Sequence, residues 1–300
     1  MIEQLRQYDK HLKPVYNDTR DILMLSSGSH GNSLIIKPYQ LIVDLGLSYK
    51  YYDEELLRKI KYVFLTHQHG DHFNITTINK IMKNQPHIKF IMRDEMFNIL
   101  KDRFAAKNNY NLNMSAIEII KENEDIVFDL NNDEVLVVNA HKTDHGDIEN
   151  TAYTFKGSVD VDEFKQPTIL YASDLVDTNA TELGDGLPTN ETYDLMFLEA
   201  NYDHQILVDR LYEIVNADDS QYNDYQKGFL NRKIDRLKDE FNSDILKDLL
   251  ESRIYAPKEK GNLRHLSENQ AFKYVFNHLS DDGLFIPLHA SSQFGTLHQK

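Results

Sequence analysis

The chain has 300 residues, 41% of them hydrophobic and 11% aromatic, enough apolar surface for a sizeable core and too much for a disordered chain. Its 33 Lys and Arg stand against 48 Asp and Glu, a net charge of −15 that repels nucleic-acid phosphates and disfavours a broad electrostatic grip on a duplex. Cysteine is absent, which excludes disulfides, thiolate nucleophiles, iron–sulfur clusters and cysteine-based zinc sites. A metal site here has to be built from carboxylates and from the 13 histidines.

The N-terminal stretch carries Glu3, Arg6, Asp9, Lys10, Lys13 and Arg20 and has no apolar segment, so no signal peptide is expected. No apolar run reaches transmembrane length, and the expectation is a cytoplasmic protein with no membrane partner. Residues Ile22–Leu25, Leu34–Lys37 and Gln40–Asp44 read as short strands, with Gly28, Gly31 and Asn32 supplying the turn between the first two. Tyr52–Lys61 is expected to be a short helix and Tyr62–Thr66 a buried strand. Ile75–Lys83 reads as a helix, Ile88–Met92 as a strand and Asp94–Asp102 as a helix. Strand-like runs follow at Ala116–Ile120, Ile126–Asp129, Glu134–Asn139, Thr151–Phe155, Thr168–Ala172 and Leu195–Glu199, then a helix over about His204–Val215.

The charged stretch Ala217–Lys260 differs from the rest. Its apolar residues Leu230, Ile234, Leu237, Phe241, Ile245 and Leu249 recur at spacings of 4, 3, 4, 4 and 4, one face of a long helix. It reads first as a helical insertion packed on the body, with a homodimer contact or a lid as alternatives. A helix at Glu268–Leu279 and a strand at Leu284–Leu288 complete the pattern. Strands then helices, twice over, predict an α/β fold of two βα layers packed face to face, a single domain over residues 1–300 with the 217–260 insertion inside it.

The strongest chemical signal is Leu65-Thr66-His67-Gln68-His69-Gly70-Asp71-His72. A strand ends at Thr66 and a helix begins near Asn74, so the loop presents His67, His69, Asp71 and His72 from a rigid strand end. Imidazole and carboxylate suit zinc, with manganese or iron as alternatives, and so many histidines gain little from packing. Further donors are expected at other strand ends. Asp44 closes Leu41-Ile42-Val43, His145 precedes the strand Thr151–Phe155, Asp174 follows Ile169–Ser173, and His289 follows Leu284–Leu288. His141 competes with His145 for one donor position.

These residues resemble the metallo-β-lactamase fold superfamily, whose loop is His-x-His-x-Asp-His followed by a His, a strand-end Asp and a late His. Ser26-Ser27-Gly28-Ser29-His30-Gly31-Asn32-Ser33, Phe197-Leu198-Glu199-Ala200-Asn201-Tyr202, His265-Leu266-Ser267 and Leu288-His289-Ala290-Ser291 resemble segments of its tRNase Z-like and YycJ/WalJ-like branch. The resemblance implies an αββα sandwich with two zinc ions. One would be held by His67, His69 and His145, the other by Asp71, His72 and His289, with Asp174 bridging and Asp44 orienting them from behind. It implies a hydrolase cleaving phosphodiester bonds with a hydroxide shared by the metals and anchored by Asp71. Glu199 would pair with His265, and His265 would protonate the leaving oxygen. The expected substrate partner is a nucleic-acid end or a small or cyclic nucleotide. A thioester or lactone hydrolase and a non-catalytic binding protein are the alternative readings. Gln293-Phe294 stands where the tRNase Z pattern has Arg-Tyr, which with the acidic surface points away from pre-tRNA.

Overall fold

The computed structural model describes residues 20–145, 148–181, 184–203 and 265–289. The first sheet contains β1 (Ile22–Ser26), β2 (Ser33–Ile36), β3 (Leu41–Val43), β4 (Tyr62–Phe64), β5 (Lys89–Met92) and β6 (Ile117–Ile119), side by side in chain order. The second contains β7 (Ile126–Asp129), β8 (Val135–Asp144), β9 (Glu149–Gly157), β10 (Thr168–Ala172), β11 (Tyr193–Glu199) and β12 (Leu279–Leu288), again in order. Each sheet begins antiparallel and becomes parallel, from β3 to β6 in the first and from β10 to β12 in the second. The helices are α1 (Glu54–Leu57), α2 (Ile75–Asn84), α3 (Asp94–Ala105) and α4 (Glu268–His278).

Strand parity separates the core into three layers. Leu41, Val43, Tyr62 and Phe64 from the first sheet share one cluster with Tyr153, Phe155, Tyr171 and Phe197 from the second. The alternate residues Ile42, Val63 and Phe90 join a cluster with Ile78 and Ile81 of α2 and Leu100 of α3. Leu170, Met196 and Leu198 join Ala271 and Tyr274 of α4. Helices therefore cover the outer face of each sheet while the inner faces meet, an αββα sandwich. Central strands buried on both sides explain the unbroken apolar runs.

Several elements differ from the sequence expectation. The helix expected over Tyr52–Lys61 is a 3-10 turn at Tyr49–Tyr51 followed by the single turn of α1. It stops because the amides of Lys61 and Tyr62 both bond the Gln40 carbonyl, 2.8 and 3.1 Å away, committing the chain to β4. Strand β8 runs five residues past the expected Asn139, because β9 pairs with it residue for residue out to Asp144↔Glu149. Its polar outward residues hid that strand. Strand β12 starts at Leu279, directly after α4, and an irregularity opposite Tyr193–Leu195 absorbs the extra residues. Helix α4 does begin at the expected Glu268, where Ser267 and Gln270 form a reciprocal capping box. The expected helix His204–Val215 and the 217–260 insertion lie outside the described residues. No described helix is long and apolar enough to cross a membrane.

Phe64 is fully buried and its ring packs edge-on against Phe128, Tyr153 and Phe155 of the opposite sheet. Phe64→Ala should therefore cost about 3–5 kcal/mol, read as a lower denaturation midpoint. An unchanged midpoint would show that the inter-sheet layer is not the stabilising core.

Candidate metal centre

The parallel strands of both sheets end at one rim of the sandwich, and the candidate residues sit on those ends. Asp44 follows β3, His67 follows β4, Asp174 follows β10, Glu199 closes β11 and His289 follows β12, while His145 leaves the tip of β8. Asp44, Asp174 and His289 all have positive φ, 61, 55 and 53°. A non-glycine residue rarely adopts that conformation, and three at one rim mark a place where backbone strain is held by its surroundings.

The histidine loop is fastened from below. The Asn32 amide donates to the Asp71 carbonyl at 2.6 Å, and Gly46 donates to the Asn32 carbonyl at 3.0 Å. A Cβ on Gly46 would lie 1.7 Å from the Asp71 carbonyl oxygen, so only glycine permits this approach. The Asn32 side chain accepts from the Gly28 amide at 2.7 Å and reaches His72 Nε2 at 2.7 Å. Arg103 of α3 donates to the Gln68 carbonyl at 2.8 Å and lies over the Phe73 ring.

On this frame the structure brings together His67, His69, Asp71, His72, His145, Asp174 and His289. His67, His69 and His145 offer ring nitrogens all within 4.8 Å of one another, and so do the donors of Asp71, His72 and His289. The donors of His67, His72 and Asp174 form a third such group. Asp44 lies beneath, its Oδ2 2.7 Å from His72 Nδ1. His72 Nε2 in turn lies 2.6 Å from Asp174 Oδ2. His67, His72 and Asp174 form a buried floor, while Asp71 is 23% and His289 10% exposed at the side chain.

The charges of these groups are strongly interdependent. Burial and the neighbouring His72 hold His67 well below the usual imidazole range. Burial also lowers His72, but the carboxylates of Asp174 and Asp44 overcome it and raise His72 well above that range. His289 is pushed up to about 9, burial again being outweighed by Asp174 and by Asp71. Burial disfavours the charged forms of Asp174 and Asp71, yet the facing histidines hold both below the usual carboxylate range.

Two features of the geometry fit a metal ion. His289 Nε2 is buried with no hydrogen-bond partner among the described residues, and His67 Nε2 and His69 Nδ1 point at each other across 3.1 Å. Imidazole nitrogens converging with carboxylates, and no thiolate, form a donor set suited to zinc, manganese or iron.

Glu199 and His265 also meet, as the resemblance implied. His265 Nδ1 lies 2.6 Å from Glu199 Oε1 and 3.4 Å from Asp174 Oδ1. The other Glu199 oxygen accepts from the amides of Leu175 and Leu266 at 2.8 and 3.3 Å. The His265 ring stacks on His289 with centroids 4.6 Å apart. His141 is elsewhere. Strand parity sets it opposite the inward residues Leu136, Val138 and Ala140, and its Nε2 meets Thr154 Oγ1 at 2.8 Å. Burial lowers it to about 4. Sequence reading missed the fastening roles of Asn32, Gly46 and Arg103. The first two lie in segments whose glycines and asparagine were visible, whereas nothing local marked Arg103.

A family model described as a beta-lactamase superfamily domain matches residues 48–210, more than half of the chain. The chain belongs to the beta-lactamase superfamily. Solved structures similar to this superfamily member include the metallo-beta-lactamase fold protein YhfI from Bacillus subtilis, at 17% identity and TM-score 0.39, covering 60% of this chain and 70% of that one. Zinc-bound PqqB from Methylobacterium extorquens has 12% identity and TM-score 0.37, with 59% of this chain and 63% of that one covered. A metallo-beta-lactamase HARLDQ-motif mutant from Cronobacter sakazakii has 13% identity and TM-score 0.41, with 79% and 94% covered. No curated protein matches the sequence. Superfamily membership and the buried His/Asp cluster together support a metal-dependent hydrolase.

A histidine that serves as a metal donor must give up its proton. In the metal-free superfamily member His289, raised to about 9, carries one at neutral pH. Zinc binding should therefore release protons, and affinity should fall as pH drops below about 9, where His289 joins His72 in taking up a proton. Titration calorimetry in buffers of different ionisation enthalpy measures this; a heat independent of buffer would contradict it.

Proposed function

We propose that this protein is a di-metal hydrolase of phosphodiester bonds. His67, His69 and His145 would hold one cation, Asp71, His72 and His289 the other, and Asp174 would lie between them. Two zinc ions suit this donor set best. Bound there, they would supply positive charge to a phosphoryl group and activate the attacking water.

The observation that carries the phosphodiesterase reading is the Glu199–His265 pair. Glu199 accepts at 2.6 Å from His265 Nδ1, so the His265 ring is held with its other nitrogen available for proton transfer. His265 is partly exposed, at 14% of its side chain, beside the metal donors. A proton donor at that position matters for an alkoxide leaving group, which departs poorly unless protonated. Asp174 and His289 flank the ring and limit its rotation. The −15 balance favours a nucleotide or a strand end over a long polyanion, because only the centre itself would be cationic. Placement in the tRNase Z-like and YycJ/WalJ-like branch belongs to the same reading.

The test is a panel of substrates given to zinc-loaded protein: a bis-aryl phosphodiester, cyclic mononucleotides, single-stranded DNA and RNA ends, a thioester and a lactone. Turnover of phosphodiesters is expected. His265→Ala should keep its zinc and lose about 10²–10⁴-fold in kcat on an alkoxide leaving group, with a smaller loss on p-nitrophenolate. Hydrolysis confined to the thioester or lactone would replace the proposal, and loss of zinc in His265→Ala would make that residue a donor.

A further inference from the structure

Thr66 is the last residue before the histidine loop and is buried. Its hydroxyl lies 3.0 and 2.9 Å from the two Asp44 carboxylate oxygens and 3.0 Å from His67 Nδ1. A hydroxyl has one proton to donate and lone pairs with which to accept, whereas a carboxylate only accepts. Thr66 therefore donates to Asp44. The remaining contact must run the other way, with Thr66 Oγ1 accepting from Nδ1–H of His67. A neutral imidazole protonated at Nδ1 leaves Nε2 bare, and Nε2 is the His67 atom that faces His69. On the other side of the same carboxylate, His72 Nδ1 donates to Oδ2 at 2.7 Å and turns its Nε2 towards Asp174.

We infer that Thr66 is a positioning residue whose hydroxyl links the Asp44 carboxylate to His67 and sets the His67 tautomer in which Nε2 is a metal donor. One buried carboxylate thus fixes Nδ1–H on two histidines, His72 directly and His67 through Thr66. The use of that tautomer rests on the metal-hydrolase reading; the tautomer itself does not. The requirement is for the hydroxyl alone. The Thr66 backbone amide separately holds Asp44 Oδ1 at 2.9 Å, so removing the hydroxyl leaves the carboxylate anchored and the loss falls on His67. Serine keeps the hydroxyl, while valine keeps the shape without it.

Imidazole ¹⁵N NMR of the metal-free protein reads the tautomer directly, and competition with a chromophoric chelator reads zinc affinity. Wild type and Thr66→Ser should both show His67 protonated at Nδ1 and bare at Nε2, with similar zinc affinity. Thr66→Val should lose that tautomer and bind zinc about 10–100-fold more weakly, the usual effect of removing a partner behind a metal ligand. A bare Nδ1 on His67 in the wild type overturns the inference without recourse to any variant. So does a Thr66→Val protein that retains both tautomer and affinity, or a Thr66→Ser protein as weak as the valine variant. A wild type that shows the tautomer yet binds no zinc would overturn the metal reading and leave the hydrogen-bond link standing.

Discussion

The Asp44 carboxylate is the point on which the rest of the rim depends. It is fully buried, and a buried carboxylate is tolerated only when donors surround it. It takes the amide and hydroxyl of Thr66, just before the histidine loop, and Nδ1 of His72 within it. The Tyr171 hydroxyl approaches at 3.4 Å from the opposite sheet. Its place is set in turn by the ladder, since its own amide bonds the Phe64 carbonyl at 2.9 Å. Strand pairing between β3 and β4 thereby fixes the atoms that orient two histidines. Removing the carboxylate would leave several buried donors unpaired at once, each costing about 1–3 kcal/mol.

The sandwich explains why distant residues meet. Parallel strands in both sheets point their carboxyl ends to one rim, where open α/β sheets commonly carry their sites. Bonds across the interface hold the two rims in register. The Tyr153 hydroxyl of the second sheet donates to the Leu65 carbonyl of the first at 2.7 Å, and the His289 amide donates to Ser27 Oγ at 2.8 Å. Asn150 donates to the carbonyls of Ser173 and Asp174 at 2.6 and 2.7 Å, holding the turn in which Asp174 takes its left-handed conformation. Strain at the donors is thus carried by hydrogen bonds made away from the rim.

Much of this was legible in the sequence because buried strands and histidine loops leave dense local signals. Tyr62–Thr66 and Thr168–Ala172 read as strands from their apolar runs, and His67 and Asp174 stood just past their ends as candidate donors. The far half of β8 was not legible, because His141 and Thr143 look like loop residues until β9 pairs with them. The same pairing separates His141 from His145 in the structure. Once the strand is extended, parity carries His141 away from the sheet interface, whereas His145 lies beyond the last pair. The work of Arg103 could not be read at all, since it acts on a backbone carbonyl of the histidine loop brought near only by folding.

The concentration of carboxylates at the rim has a consequence for stability. Asp44, Asp71, Asp174 and Glu199 converge in a space largely closed to water, and in the metal-free protein the compensating positive charge comes from protons drawn onto His72 and His289. Those protons occupy the nitrogens that face the centre, so they and the cations are alternatives for the same positions. Cations there would carry more charge in the same volume and would engage Nε2 of His289, which is buried without a hydrogen-bond partner among the described residues. A ligand that binds only the folded chain stabilises it by mass action, by about 4 kcal/mol at a thousandfold excess over Kd. That is a large share of the roughly 5–15 kcal/mol by which a domain is stable. Cations at this rim would therefore compete with those protons and favour the folded chain.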